Sequence, residues 1–286
     1  MNSLRSILSQ HRQWLFQAEG MVARELDYID EDLAEGSLGG LANVSDSLGM
    51  LATYHGIQGE VAICSGDASG WRAVSIALVY RYWALKLKAH GFSATHFLGS
   101  LNKGPNLTNQ LSNAGCLLAA FIAADRRDLA GSVAEMLAGM LRVERAIDAH
   151  YLKRRQFEPF MLWLYGRYLA QATARVGSEL GVYQQVIDCW VDEQGLGEAL
   201  REVSQYHLAN MDDQGGDWDP EFKHPPFDLL PLEVVAILKV RQKVGLASPV
   251  IEHPLICTQT IAVEQLVLEP DDVVRKVEAA YEALRG

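Results

Sequence analysis

The stretch LANVSDSLGMLATYHGIQGEVAI (residues 41–63), the connector SGDASG (65–70) and the following WRAVSIALVYRYWALKLKA (71–89) together decide the fold class. Apolar residues recur three and four positions apart on both sides of the connector, which is the spacing of an amphipathic α-helix. The connector supplies a glycine to end the first helix and a serine or aspartate to cap the second. The sequence therefore predicts two helices, at about 41–63 and 69–89, that form a helical hairpin.

The same helical spacing extends over most of the chain. Residues 3–32 read as one long amphipathic helix or two abutting ones, ended by EGSLGGL (35–41). Residues 107–124 are apolar nearly all round, which predicts a buried central helix. Further helices are predicted at about 129–141, 160–177, 184–191, 196–211, 231–244 and 271–284.

These elements indicate an all-α fold in which helical hairpins pack into an array resembling a helical repeat, with little or no β-structure. We expect a single all-α domain over residues 1–286, with a division into helical parts 1–178 and 179–286 as the alternative. Residues 255–267 contain β-branched residues, and the pattern there fits a strand or a buried helix equally well. Aromatic residues at helical spacing, such as Trp71 and Trp163, are expected to form core.

Charge is segregated along the chain, whose formal net charge is −11. Residues 19–67 hold ten acidic residues and one arginine, and residues 188–233 hold twelve acidic residues against two basic ones. Residues 71–155 are basic, with twelve lysines and arginines against five acids. This pattern disfavours nucleic acid as the main partner and favours a basic protein.

The overall composition places the chain among soluble folded proteins. Hydrophobic residues make up 49% of the chain and charged residues 21%, yet no apolar run reaches the ~18 residues of a membrane-spanning helix. The first residues lack the apolar core of a signal peptide, and the four cysteines are widely spaced without a CxxC pair. We therefore expect a cytoplasmic protein with reduced, mostly buried thiols and no membrane partner.

Sequence motifs for nucleotide binding, for hydrolase nucleophiles and for zinc sites are absent. The prediction is accordingly no catalytic residue, no cofactor and no bound metal. A weaker alternative is an all-α metal-dependent hydrolase that uses His207 with Asp212 and Asp213, although a second ligand pair is missing. Single histidines in proteins are more often structural than ligating.

The Pro-, Gly- and Asp-rich stretch 212–231 is the one long irregular segment of the sequence. Within it, Trp218 lies between two aspartates, so it acts either as a plug under the loop or as an exposed anchor. Because an irregular loop can enter a partner's cleft, we predict the binding surface here. The predicted partner-binding residues are Asp212, Asp213, Asp217, Trp218, Asp219 and Glu221.

The C-terminal third carries a resemblance to a known family. The residues HPPFDLLPLEVVAILKVRQKVGL (224–246) and IEHPLI (251–256) lie behind the hairpin with Trp71 and the segment GCLLAAFIAADRRD (115–128). This arrangement resembles the all-α immunity proteins of bacterial polymorphic-toxin and type VI secretion systems, most closely immunity protein forty-nine. We interpret the quoted motif as packing, with Asp228 or Leu230 capping a helix begun by Pro231.

The resemblance implies a non-catalytic protein that binds and neutralises one cognate toxin effector. The two acidic blocks would attract a basic toxin, and nuclease-type toxins are basic because they bind phosphates. A homodimer is a further open expectation. The alternative in another class is a helical-repeat adaptor or regulator that binds a peptide or a small ligand in a groove between hairpins.

Overall fold

The computed structural model describes residues 2–94, 107–142, 155–170, 180–212 and 220–285. In these ranges the chain forms eleven α-helices and one short 3-10 helix and no strand, so the all-α prediction is confirmed. The helices are α1 (Asn2–Gln17), α2 (Met21–Ala34), α3 (Leu38–Cys64), α4 (Gly70–Ala94), α5 (Thr108–Ala123), α6 (Arg127–Leu141), α7 (Phe157–Tyr168), α8 (Val182–Asp188), α9 (Glu193–Ala209), α10 (Leu232–Lys243), η1 (Val263–Gln265) and α11 (Asp272–Arg285).

The chain divides into two compact units, of which the first comprises Met1–Pro105 and Gln265–Gly286 and the second Asn106–Glu264. The alternative boundary at residue 178 therefore falls inside the second unit. The C-terminal helix α11 belongs with the N-terminal helices because Tyr80 of α4 donates a hydrogen bond to Asp271 (2.6 Å). Such a pairing joins residues 191 positions apart, which local sequence patterns do not reveal.

In the first unit, the hairpin of α3 and α4 forms as the connector predicts, and two glycines let its helices approach closely. A Cβ atom on Gly59 would lie 2.8 Å from the carbonyl oxygen of Gly70, and one on Gly70 would lie 2.5 Å from the carbonyl oxygen of Gly59. The N-terminal helices are the abutting pair: Gly20, at φ 79°, separates α1 from α2. Ser37 then caps α3 by accepting from the backbone N–H of Gly40 (2.9 Å).

In the second unit, α5 is the central helix, as its apolar sequence predicts. Leu111, Leu117 and Phe121 are completely buried, and α6, α7 and α10 pack around the helix. The aromatic residues expected in the core are buried as well, including Trp71 in the first unit and Trp163 in the second. No helix in the described ranges is long and apolar enough to cross a membrane.

Three local expectations are corrected. Residues 255–267 form neither a strand nor a buried helix, because turns, one isolated bridge between His253 and Ile256 and the short η1 occupy them. Helix α10 starts at Leu232 and Pro231 is its N-cap residue, so neither Asp228 nor Leu230 occupies the N-cap position and Pro231 is not the first helical residue. The cysteines form no disulfide, as expected, but Cys64 and Cys257 are exposed rather than buried.

Candidate interaction surface

The predicted partner-binding residues separate into three groups in the structure. Asp213, Asp217, Trp218 and Asp219 lie outside the described residues. Asp212 is half-buried just beyond the end of α9. Glu221 is only 1% exposed, so it is an interior residue and not the surface contact that the sequence suggested.

Glu221 is buried because it belongs to a polar network in the core of the second unit. The hydroxyl of Tyr206 donates to both of its carboxylate oxygens, at 2.8 and 2.9 Å, and its backbone carbonyl accepts from the Sγ of Cys116. Burial and the negative charge of Glu221 raise the pKa of Tyr206, so the phenol stays protonated and donates. A buried carboxylate needs such donors, since an unsatisfied charge in the interior is costly.

His207 is the second member of the polar network. Its Nδ1 lies 2.8 Å from the Oε1 of Glu233, its Nε2 lies 3.1 Å from the carbonyl oxygen of Asp228, and its ring stacks on Phe222. Both neighbours of the ring are oxygen acceptors, so the geometry favours a proton on each nitrogen. Burial by itself would lower the pKa of His207. The charge and hydrogen bond of Glu233, together with the Asp228 carbonyl, outweigh the effect of burial, so the pKa is raised overall.

This arrangement bears on the hydrolase alternative. A histidine that ligates a metal must offer one nitrogen lone pair to the ion. In His207 both nitrogens face protein acceptors instead, and of the two proposed partners Asp213 lies outside the described residues. The structure therefore gives His207 a structural role, which is the more common one for a buried histidine.

Glu158 and Arg155 complete the network at the start of α7. They form a buried ion pair, and Arg155 also donates to the hydroxyl of Ser112 on α5 (3.1 Å). Burial, followed by the charge of Glu221, raises the pKa of Glu158 well above its usual value. The network thus links α5, α7, α9 and the segment 221–233, and it holds α9 from its buried side.

Other carboxylates of the second acidic block are exposed at the start of α9 and along its solvent-facing side. We call Asp192, Glu193, Glu198 and Glu202 the acidic face, and all four are exposed. Glu221, Asp228 and Glu233, from the same block, are buried. Tertiary structure therefore sorts one acidic stretch of sequence into a core network and a solvent-facing surface.

A groove of about 620 Å³ opens on the acidic face. Its walls are the first turns of α9 on one side and the segment 249–250 on the other, and it is lined by Asp192, Glu193, Gln194, Gly197, Glu198, Arg201, Pro249 and Val250. Val250 is 87% exposed, and Val191, next to Asp192 in the chain, is 77% exposed. The groove therefore places carboxylates beside exposed aliphatic side chains.

The sequence favours the second acidic block as the binding surface but does not single out these particular residues. Glu198 and Glu202 are four positions apart on a predicted helix, and the sequence pattern does not distinguish them from the other acids of the block. Nothing in the sequence marks Val250 as part of a surface site. It lines the groove because the segment after α10 returns to the start of α9, which only the fold establishes.

Comparison of the chain with family models, with curated proteins and with solved structures finds no match.

Proposed function

We propose that this chain is an immunity protein that neutralises a cognate bacterial toxin effector by direct contact through the acidic face. The observation that carries the proposal is the exposed row of carboxylates on a helix anchored from beneath by the polar network. The resemblance of residues 224–246 and 251–256 to all-α immunity proteins supports the same function. All of residues 225–237 are buried, which fits a motif that maintains the fold rather than one that touches the toxin.

An acidic surface suits this task for a physical reason. Toxins that act on nucleic acid carry positive charge to bind phosphates, and complementary fields accelerate the encounter of inhibitor and toxin. A rigid helix presents its carboxylates with little loss of conformational freedom on binding. Asp192 adds to this rigidity, because its side chain caps α9 by accepting from the backbone N–H groups of Gln194 and Gly195.

The first test is whether a gene next to this chain's encodes a toxin domain, and the second is co-expression of the chain with that domain. We expect the wild-type chain to restore growth and to form a stoichiometric complex with the toxin in size-exclusion chromatography. The variant Glu193→Gln/Glu198→Gln should weaken both effects. The matched variant Asp27→Asn/Glu31→Gln, on exposed positions of α2, should leave both unchanged.

The proposal fails if wild-type protein neither rescues growth nor binds the toxin. If only the α2 variant loses protection, the toxin-binding surface lies in the first acidic block and not on the acidic face.

The adaptor alternative draws on the groove of the acidic face, because a peptide-binding regulator needs a similar concavity. The two functions differ in the biological outcome of binding. An adaptor would bind its peptide without protecting cells from a toxin, so the growth assay separates the two.

A further inference from the structure

The groove on the acidic face is largely open to solvent. Its volume of about 620 Å³ suits a segment that lies along the surface rather than a ligand enclosed in a cavity. Its floor is formed where Gly197 meets the segment 249–250: a Cβ atom on Gly197 would lie 3.3 Å from the Cβ of Pro249. The absence of a side chain at Gly197 therefore keeps the two walls close together.

The lining of the groove attracts a cation. Three carboxylates, those of Asp192, Glu193 and Glu198, line the groove together with one arginine, Arg201, and the first two also interact electrostatically with the guanidinium of Arg241. Within the described part of the chain, the Glu198 side chain makes no hydrogen bond or ion pair. Its charge is consequently available to a partner, and a lysine or arginine side chain is the complement that a protein offers.

The aliphatic side chains indicate that the occupant is a protein segment and not a bare metal ion. Val250 lines the groove while exposing 87% of its surface, and Pro249 extends the apolar wall. A metal ion would gain nothing from these groups. An aliphatic side chain beside the cation would cover them and remove apolar surface from water.

The groove is also fixed in shape before anything binds. The guanidinium of Arg241, a residue only 1% exposed, donates to the carbonyl oxygen of Trp190 and to that of Ala247. These two carbonyls belong to the segments that lead into opposite walls. One buried side chain thus holds both walls, and a preformed site binds with a smaller entropic cost.

We infer that this groove binds a short segment of the partner protein in which one lysine or arginine adjoins an aliphatic side chain. The cation lies against Glu193 and Glu198, and the aliphatic group lies on Pro249 and Val250. This inference deepens the proposed function and rests on it for the identity of the partner. The chemistry of the segment follows from the groove itself.

The test uses a phage-displayed library of random peptides, selected on the purified full chain. Peptides enriched on the wild-type protein should contain Lys or Arg next to Val, Leu or Ile. A synthetic peptide from the selection should bind Glu198→Lys and Val250→Asp at least about tenfold more weakly than wild type, which is the effect of a hot-spot contact. Raised salt should weaken its binding to the wild-type protein.

Two substitutions of matched chemistry serve as controls. Glu135→Lys reverses an exposed helical carboxylate outside the groove, and Val267→Asp alters an exposed valine outside it. Both variants should bind the peptide as wild type does. The inference is overturned if no peptide is enriched on wild type over Glu198→Lys, if enriched peptides lack a cation, or if the controls lose binding to the same extent.

The outcomes also distinguish failure of the groove inference from failure of the proposed immunity function. Peptide binding as expected without growth protection in the co-expression assay would retain the groove and reject the immunity function. If Glu198→Lys and Val250→Asp still protect cells although they no longer bind the peptide, the immunity function is retained and the groove is rejected as the site that binds the toxin.

Discussion

The imidazole Nδ1 of His207 and the carboxylate Oε1 of Glu233 lie 2.8 Å apart in the core of the second unit. Both side chains are buried, and they join α9 to α10 across 26 positions of sequence. A buried pair of this kind adds little net stability over an apolar replacement, yet removing one partner leaves the other uncompensated. The position of α9, and with it the acidic face, therefore depends on both residues being present.

The first prediction concerns this pair. His207→Ala should reduce the free energy of unfolding by about 3 to 5 kcal/mol, because Glu233 would be left as a buried charge without its partner. Chemical denaturation followed by circular dichroism measures the change. The double variant His207→Leu/Glu233→Leu should be less destabilised than His207→Ala, and equal or greater destabilisation in the double variant would contradict the account.

The second prediction is a pH dependence that follows from the same histidine. The pKa of His207 is raised in the folded protein above its ordinary value of 6.5, so folding favours the protonated form. Its contribution to stability is then complete below about pH 6.5 and is lost as the pH rises through the folded-state pKa. The difference in unfolding free energy between wild type and His207→Gln should shrink over that interval. A difference that grows with pH would show that His207 is held in its neutral form.

The third prediction tests the close approach in the α3–α4 hairpin. Gly59→Ala would place a Cβ atom 2.6 Å from Val74 Cγ2 and 2.8 Å from the carbonyl oxygen of Gly70. Since backbone must move to accommodate it, we expect a loss of about 1 to 3 kcal/mol in unfolding free energy. Thermal and urea unfolding measure the loss.

Gly49, in the same helix, is the matched control. A Cβ atom there meets nothing within 4 Å, so Gly49→Ala should be neutral or stabilising by up to about 1 kcal/mol. Similar destabilisation by both substitutions would mean that helix propensity, rather than packing, governs the hairpin.

The fourth prediction distinguishes the two candidate surfaces of the second acidic block. Against a basic toxin, Glu198→Gln/Glu202→Gln should slow association and flatten its dependence on salt, because exposed charges act mainly on the encounter rate. Surface plasmon resonance at two salt concentrations measures both quantities. The same experiment on Asp217→Asn/Asp219→Asn tests the prediction for residues 213–219, which stands from the sequence alone. A salt dependence unaltered by the α9 substitutions would exclude the acidic face.

Local signals in the sequence were sufficient for the helices of the hairpin. Gly20, Ser37 and the connector 65–70 act through their own backbone geometry and through neighbours a few residues away, so their effects can be read in order along the chain. The apolar circumference of residues 107–124 predicted the central helix for a similar reason, because a helix without a polar face must be covered on all sides.

Only the tertiary structure decided which charged residues are buried and which are exposed. Glu221 and Glu198 belong to the same acidic stretch of sequence, yet one accepts hydrogen bonds in the core while the other faces the groove. Burial of a carboxylate depends on donors brought from elsewhere, such as Tyr206 for Glu221 and His207 for Glu233. The groove requires Arg241 to reach Trp190, 51 positions away. The sequence by itself determined the helices because helix formation is local, whereas long-range pairing determined which charges remained at the surface.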